Sequence, residues 1–185
     1  QAILESGPSE GTAIAEKGEQ SIFAISPSGD KLIYGNSVPV TGGEVRIQMR
    51  PDKAPAHVER VKMLTRAGFY DGVLFHRVIE GFMAQTGDPK GDGTGGSPLP
   101  DVKAEFNDLP HLRGTVSMAR ADAKDSANSQ FFIDLAPATF LDGQYTVVGQ
   151  LVDGWEVLNA VKKGDPAANG AVIDPDYMIK VTVQE

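Results

Sequence analysis

The feature that most constrains the fold is the alternation of apolar and polar side chains over residues 73–85. A period of two is typical of a β-strand, and here it places Phe75 and Arg77 on one face. A glutamate and a glycine interrupt the pattern, after which the same period places Met83 and Gln85 together. The sequence therefore predicts two neighbouring strands that bring an arginine, a methionine and a glutamine onto one half-apolar surface with two hydrogen-bond donors.

Other short segments repeat this strand pattern between turns rich in glycine and proline. Residues 44–50 alternate with Val45, Ile47 and Met49 facing inward, and further strands are predicted at residues 114–119, 130–134, 145–152 and 177–183. In the last of these, Ile179, Val181 and Val183 are expected to form the buried face. Many strands with no alternation of strand and helix favour an antiparallel barrel or a sandwich.

Two helices are predicted between these strands. Residues 56–67 place apolar side chains at helical spacing and end at Gly68. Asp153 and Glu156 have the spacing of a capping box, which predicts a second helix that ends at Gly164. His57, at the start of the first helix, is interpreted as a solvated or capping residue.

The first 40 residues have a weaker pattern. Residues 1–20 are rich in Gly, Ser, Glu and Ala and show no period, which predicts an arm that is ordered only where it docks. Residues 21–25 and 31–34 are apolar runs that flank a turn. They predict either an added hairpin or the first strand of the domain, so the chain is divided into an N-terminal extension, 1–40, and a main domain, 41–185.

Composition excludes several classes of protein. The net charge of −8 and the isoelectric point near 4.9 argue against nucleic-acid binding, which needs a basic face. No cysteine is present, so neither disulfides nor thiolate metal sites can form. No apolar run has the length of a membrane span, and no heptad repeat calls for a partner, so a monomer is expected. The chain begins at Gln1, as a processed or trimmed chain would, and we expect either a periplasmic or a cytoplasmic protein.

Several possible chemical motifs do not fit their context. Residues 91–96 match G-x-G-x-x-G, but prolines follow where a dinucleotide fold needs a helix. The loop from Asp88 has a leucine where a calcium loop needs its bidentate glutamate. The three histidines lack metal-ligand spacing, so neither a metal nor a cofactor is expected. Ser117 or Ser129 with a histidine and an aspartate could form a hydrolase triad, but no G-x-S-x-G motif supports it.

Five ordered motifs carry a resemblance to a known family. They are Phe75-His-Arg77, Gly81-Phe-Met-Ala-Gln85, Gly93-Thr-Gly-Gly96, Ser117-Met-Ala119 and Ser129-Gln-Phe-Phe-Ile133. Together they resemble the motif set of the cyclophilins, the peptidyl-prolyl cis-trans isomerases, over residues 43–183, and they look like the bacterial branch. The resemblance implies a mainly β fold, a closed eight-stranded antiparallel barrel capped by two α-helices. It also implies catalysis of rotation about Xaa-Pro bonds during protein folding, without a cofactor.

The resemblance assigns roles to individual positions. It implies that Arg77, Gln85 and Phe82 are catalytic, with Arg77 donating to the imide nitrogen of the substrate. Phe131 and Ile133, on the opposite face of their strand, are expected to be core. The resemblance implies that substrate is bound by Met83, Gly93, Ala119, Arg120, Ala121, Gln130, Phe132, Phe140, Leu141 and Tyr145.

Three positions differ from the residues that are usual in eukaryotic cyclophilins. Phe140 stands where a tryptophan is usual, Tyr145 where a histidine is usual, and Arg120 where an asparagine is usual. The missing indole N–H predicts weakened affinity for cyclosporin. The expected partners are proline-containing peptides and unfolded protein chains. A second hypothesis is a binding module or chaperone that holds proline segments with incidental turnover or none.

Overall fold

The computed structural model describes residues 20–26 and 43–184. Within these residues, two α-helices, α1 (Pro55–Arg66) and α2 (Trp155–Ala160), and two 3-10 turns, Thr139–Leu141 and Pro166–Ala168, accompany a single sheet. The strands are β1 (Gln20–Ser26), β2 (Gly43–Met49), β3 (Arg77–Ile79), β4 (Met83–Thr86), β5 (Thr115–Met118), β6 (Phe131–Asp134), β7 (Val147–Asp153) and β8 (Tyr177–Gln184). The prediction of a mainly β protein with two helices is confirmed.

All strand pairs are antiparallel, in the order β3-β4-β6-β5-β7-β2-β1-β8. The two edges approach each other where residues 72–75, which lead into β3, meet the start of β8. Three backbone hydrogen bonds join them, from Gly72 to Met178 (2.6 Å), from Phe75 to Asp176 (2.8 Å) and from Met178 to Val73 (2.9 Å). The edge strands β3 and β8 do not form a ladder with each other in the described residues, so closure into a barrel stays a prediction.

The N-terminal strand is an internal member of this sheet. Residues 20–26 form β1, which pairs with β2 on one side and β8 on the other. The apolar run at 21–25 therefore supplies a strand, whereas the run at 31–34 lies outside the described residues. The division of the chain at residue 40 stays a prediction.

The inward faces follow the predicted period in β2 but not in β8. Val45, Ile47 and Met49 are all buried, as predicted. In β8 the buried residues are Met178 and Val181, whereas Ile179 and Val183 are only half-buried. The alternation shifts because Ile25 pairs with Met178 while Ala24 pairs with Lys180, which leaves Ile179 as an extra residue in a β-bulge.

Both helices pack on the core, but only α1 begins as predicted. It begins at Pro55, ends at Arg66, and buries Val58, Val61 and Leu64. The predicted capping box of α2 is wrong, because Gly154 is the N-cap and has no side chain to accept a hydrogen bond. Its φ of 90° and a Cβ position only 2.3 Å from the carbonyl oxygen of Glu44 require glycine there.

The second helix is also shorter than predicted. It ends at Ala160, before Gly164, and its buried residues are Trp155 and Leu158. Val161, just beyond it, has an extended backbone conformation and is buried as well. Val161 lies at helical spacing from the buried residues of α2. The apolar pattern therefore predicted a helix that continues beyond its actual end at Ala160.

Candidate active site

The register of β3 and β4 places Arg77 directly opposite Gln85. Arg77 Nη1 donates to Gln85 Oε1 at 3.1 Å, so the predicted proximity of these side chains is confirmed. Two further hydrogen bonds fix the guanidinium group, from Nε to the carbonyl oxygen of Asn169 and from Nη2 to Asn169 Oδ1, both 3.0 Å. All three nitrogen atoms of the guanidinium group are thus hydrogen-bonded within the protein itself.

The predicted pairing of Phe75 and Arg77 on one face is wrong. Phe75 is only 1 % exposed and lies in the core with Val78, whereas Arg77 is half-buried on the other side of β3. The reason is that β3 begins only at Arg77, so the period of two does not extend back through His76.

A small cavity of about 160 Å³ opens beside Arg77. Six of its nine lining residues are apolar or aromatic, and two guanidinium groups and one amide complete the wall. The residues that line this small cavity are Arg77, Phe82, Met83, Gln85, Ala119, Arg120, Phe132, Leu141 and Tyr145. Nine of the predicted site residues therefore meet at one place, from β3, β4, β6 and the turns that follow β5 and β6.

The ring of Phe132 forms the central wall of the small cavity. Tyr145 meets it edge to face, with ring centroids 5.9 Å apart and planes at 81°. Phe131 and Ile133, its neighbours in β6, are buried in the core on the opposite face, as predicted. Phe140 does not line the cavity. It lies at the rim, 66 % exposed, with its ring centroid 5.6 Å from that of Phe82.

A large cavity of about 400 Å³ adjoins the small one and shares Gln85, Ala119 and Arg120 with it. Its wall is polar, and five of its thirteen lining residues belong to the glycine-rich loop 93–97. The remaining predicted groove residues, Gly93, Ala121 and Gln130, line it as well. The two cavities together form one continuous groove.

A row of hydrogen bonds crosses this groove. Gln85 accepts from Arg77 and donates from Nε2 to Gln130 Oε1 at 2.9 Å. Gln130 Nε2 in turn donates to the carbonyl oxygens of Gly93 (3.0 Å) and Gly95 (2.8 Å). The guanidinium of the small cavity is therefore connected to the glycine-rich loop of the large cavity through two amide side chains.

The glycine-rich loop is organised around a buried carboxylate. Asp88 is 1 % exposed and accepts from the backbone N–H groups of Lys90, Asp92 and Gly93. A Cβ on Gly95 would lie 2.1 Å from Asp88 Oδ1, so the loop packs on the carboxylate only because that residue is glycine. Backbone donors that a dinucleotide loop would turn toward phosphate are here bonded to the protein's own carboxylate.

Arg120 closes the outer side of both cavities. Its guanidinium carbon lies 4.7 Å from the ring centroid of Tyr145, a cation–π distance. Its N–H groups donate to the carbonyl oxygens of Gln144, Ala121 and Asp122. Two residues that depart from the eukaryotic pattern therefore stabilise each other.

Burial shifts the pKa of two side chains near the small cavity, Arg77 at its rim and Asp134 behind its wall. Burial lowers the pKa of Arg77, although a guanidinium group keeps its proton in proteins. Behind the wall, burial and the nearby Asp142 raise the pKa of Asp134 to about 8. Both carboxyl oxygens of Asp134 lack a hydrogen-bond partner among the described residues.

The sequence did not identify two residues that support the site. Asn169 fixes Arg77 from 92 positions along the chain, and only the Asn-Gly dipeptide at 169–170 marks its left-handed turn. His111 stacks on Phe132, with centroids 6.1 Å apart and planes at 17°. No spacing pattern in the sequence identified it.

The interpretation of His57 as solvated is wrong. The side chain is fully buried and its Nδ1 lies 2.7 Å from Glu105 Oε2. Across residues 20–26 and 43–184, no group of three or more His, Cys, Asp or Glu side chains could hold a metal ion. In the same residues no helix is both long enough and apolar enough to cross a bilayer.

A β-protein with an apolar cavity, a fixed guanidinium group and a polar groove beside it is suited to holding an extended peptide by one apolar ring. The family described as cyclophilin type peptidyl-prolyl cis-trans isomerase/CLD matches residues 37–183. The chain belongs to this family and is a cyclophilin-type peptidyl-prolyl cis-trans isomerase, as the five motifs predicted.

Bacterial relatives and solved structures are similar to this chain. A protein of Brucella suis named as a probable peptidyl-prolyl cis-trans isomerase is 53% identical over 153 residues, which cover 77% of this chain and 78% of that protein. Peptidyl-prolyl cis-trans isomerase B of Bacillus subtilis is 42% identical over 126 residues, covering 67% and 87%. A cyclophilin-type isomerase of Cryptosporidium parvum has a similar structure, with a TM-score of 0.76 and 25% identity over 90% of this chain and 98% of that one.

A second crystal structure of the Cryptosporidium protein was determined in the presence of the dipeptide Ala-Pro. That chain is 31% identical to this one, with a TM-score of 0.71 and coverage of 77% of this chain and 94% of that one.

Proposed function

We propose that the small cavity holds the proline ring of an Xaa-Pro substrate while Arg77 promotes rotation of the bond. The observation that carries this assignment is the guanidinium group fixed at the edge of a cavity of about 160 Å³ that six apolar or aromatic side chains line. The Cryptosporidium relative studied with Ala-Pro supports a proline-containing ligand. The same ligand class suggests that natural substrates are proline-containing peptides and unfolded chains.

The chemistry needs neither a nucleophile nor a proton transfer. Rotation about the bond requires loss of amide resonance, a barrier of roughly 18–20 kcal/mol. As the bond twists, the lone pair localises on the imide nitrogen, and a donor aimed at that nitrogen stabilises the twisted state. Arg77 supplies such a donor, and Gln85 and Asn169 hold it in place. Phe82 and Met83 complete the walls that grip the ring.

The expected rate acceleration is too large for Arg77 alone, so the cavity must contribute as well. Uncatalysed isomerisation takes on the order of 10–100 s, and a ~10⁵-fold acceleration corresponds to about 7 kcal/mol. One preorganised donor contributes about 2.7–4 kcal/mol. The remainder must come from holding the proline ring in the orientation that allows rotation. The apolar wall formed by Phe132, Leu141 and Tyr145 is suited to this.

The large cavity is proposed to bind the residues that flank the proline. Its backbone groups in the loop 93–97 suit an extended peptide without demanding a particular side chain. Gly93, Ala119, Arg120, Ala121 and Gln130 would line the path of the peptide. Phe140, on the rim and without an indole N–H, is proposed to weaken cyclosporin binding.

Two further proposals concern the architecture of the protein, namely the closure of its sheet and its oligomeric state. The contacts between residues 72–75 and the start of β8 suggest that the sheet closes as an eight-stranded barrel, with α1 and α2 as caps. We also propose a monomer, since a single chain carries both cavities. The bacterial relatives fit a bacterial protein, and its compartment stays a prediction.

The test compares Arg77→Ala with the wild type in the isomerisation of a short Ala-Pro peptide at low temperature. Loss of the donor should lower kcat/KM roughly 100- to 1000-fold, while peptide affinity measured by titration stays within a few-fold. Arg46→Ala is the matched control, because Arg46 lies on β2 in an ion pair with Glu44 and lines neither cavity. Equal loss of turnover and affinity would favour the binding module instead.

A further inference from the structure

A polar cluster centred on the buried imidazole of His111 lies directly behind the wall of the small cavity, with Asp142 on its solvent-exposed side. His111 Nδ1 is 2.9 Å from Asp142 Oδ1, which also accepts from the backbone N–H of His111 at 2.7 Å. On the other side of the ring, His111 Nε2 is 3.0 Å from Ser117 Oγ. The proposed isomerase mechanism uses none of these three side chains.

The spacing is that of a Ser-His-Asp hydrolase triad, but burial excludes that chemistry. A nucleophilic serine must reach its substrate, whereas Ser117 and His111 are both 0 % exposed. The Ser117 hydroxyl is also within 3.0 Å of the carbonyl oxygen of Thr146. The contacts therefore hold the imidazole in place and do not activate a nucleophile.

The hydrogen bonds give the imidazole one orientation. A carboxylate only accepts, so the proton of the neutral ring is on Nδ1. Nε2 lies 3.0 Å from Ser117 Oγ, whose single proton can be donated either to Nε2 or to the Thr146 carbonyl oxygen. Burial lowers the pKa of His111, which favours this neutral form. Because both ring nitrogens have partners, turning the ring would break two hydrogen bonds inside a buried site.

The oriented imidazole supports the aromatic wall of the cavity. Its plane is within 17° of that of Phe132, with centroids 6.1 Å apart, while Tyr145 meets Phe132 edge-on. The Phe132 ring is therefore bounded by two aromatic partners with different geometries. This fixes the tilt of the surface against which the proline ring is proposed to pack.

The same residue connects two other walls. Asp142 directly follows Leu141, which lines the cavity, and the backbone N–H of Ala138 donates to the carbonyl oxygen of His111 at 2.9 Å. Ser117 lies in β5, two residues before Ala119, another lining residue. One buried imidazole thus links Phe132, the turn that carries Leu141, and the end of β5.

We propose that His111 is a positioning residue that keeps the wall of the small cavity in the shape required for proline. This rests on the proposed function of that cavity. Without the imidazole, the Phe132 ring and the turn that carries Leu141 would adopt several arrangements. A proline ring would then be bound more weakly in both isomers, so KM should rise while kcat changes little.

The first experiment compares His111→Asn with His57→Asn in the isomerisation assay. His57 is an ideal matched control, because it is equally buried, its Nδ1 also pairs with a carboxylate, and it lines neither cavity. We expect H111N to raise KM about tenfold with kcat within about threefold, and H57N to leave both unchanged. Equal KM values in H111N and the wild type would overturn the proposal.

The second experiment asks whether His111 acts through Phe132. In a double-mutant cycle, H111N should add little to the effect of Phe132→Ala, because the ring it positions is already absent. Fully additive effects on KM would mean that His111 acts elsewhere, and the proposal would be wrong. If H111N fails to fold, His111→Phe keeps a stacked ring without the hydrogen bonds, and an unchanged KM in that variant would equally overturn the role of the polar cluster.

Failure of the isomerase function would be visible separately. If the wild type showed no turnover, peptide affinity measured by titration would replace KM in both experiments. A tenfold loss of affinity in H111N would then support the positioning role even without catalysis. Normal turnover with unchanged affinity in H111N would reject the positioning role alone.

Discussion

The small and large cavities share three residues but are built in different ways. The small cavity is formed by side chains whose positions follow from strand register, as with Arg77 opposite Gln85. The large cavity takes five of its thirteen lining residues from the loop 93–97, which hydrogen bonds to Asp88 and Gln130 hold in place. Side-chain identity should therefore matter most in the small cavity, and loop geometry in the large one.

The largest effect in this comparison is expected from Phe132→Ala. The ring forms the central wall of the small cavity, and losing the burial of one apolar side chain costs about 1.5–3 kcal/mol. Peptide affinity and kcat/KM should therefore fall roughly 10- to 150-fold. Steady-state kinetics on an Ala-Pro peptide would measure this, with near-UV circular dichroism to show that the fold is retained. A loss below threefold would mean that Phe132 does not contact the substrate.

Gln85→Ala should have an intermediate effect, because Gln85 belongs to both cavities. The change removes one of three hydrogen-bonding partners of the Arg77 guanidinium and leaves the bonds to Asn169. We expect kcat to fall about tenfold, in line with about 1.5 kcal/mol for a hydrogen bond to a charged group. The measurement is kcat at saturating peptide. A rise in KM alone would assign Gln85 to binding.

Gln130→Ala tests mainly the large cavity, although it also removes the acceptor of Gln85 Nε2. It removes the two hydrogen bonds to the carbonyl oxygens of Gly93 and Gly95, while the bonds of Asp88 still hold the loop. KM should rise about threefold for a peptide of six or more residues and remain unchanged for a dipeptide. Comparing the two peptides on one variant provides the control. Equal effects on both would show that Gln130 acts on the small cavity through Gln85.

The sequence predicted the features that depend on local pattern. The period of two identified the buried face of β2, and together with the turn after Ile79 it brought Arg77 and Gln85 to the same surface. The family resemblance identified the other residues of the small cavity and, in the large cavity, Gly93, Ala121 and Gln130, but not Asp101, Ser126 or Asn128. Local pattern succeeds here because strand register converts spacing along the chain directly into spacing in space.

The errors arose where the backbone left the regular pattern. A bulge moved Met178 into the core in place of Ile179, and an irregular segment before β3 sent Phe75 to the core. Asn169 and His111 support the site through the tertiary arrangement of distant segments. Neither lies at a spacing that hydrophobic periodicity or a short motif can detect.

Asp134→Asn is expected to have the smallest effect on turnover. Its effect on the free energy of unfolding should be clear. Each cavity has one buried carboxyl group near it, but Asp88 accepts from three N–H groups and Asp134 has no hydrogen-bond partner among the described residues. The pKa of Asp134 is raised to about 8 in the fold, against about 3.9 when unfolded. Between these values the folded state binds more protons than the unfolded state, so the wild type loses stability as pH rises.

The asparagine variant lacks this titration. Its free energy of unfolding should match that of the wild type near pH 4 and exceed it by on the order of 5 kcal/mol above pH 8, because the pKa of Asp134 is about 8 in the fold and each unit of difference from the unfolded value corresponds to about 1.36 kcal/mol. Urea denaturation at the two pH values measures the difference. Asp88→Asn is the contrasting variant and should be destabilised, because the Asp88 carboxylate accepts three backbone hydrogen bonds that organise the loop of the large cavity. If Asp134→Asn gained no stability at high pH, the carboxyl group would have to be ionised in the fold, with a partner behind Phe132.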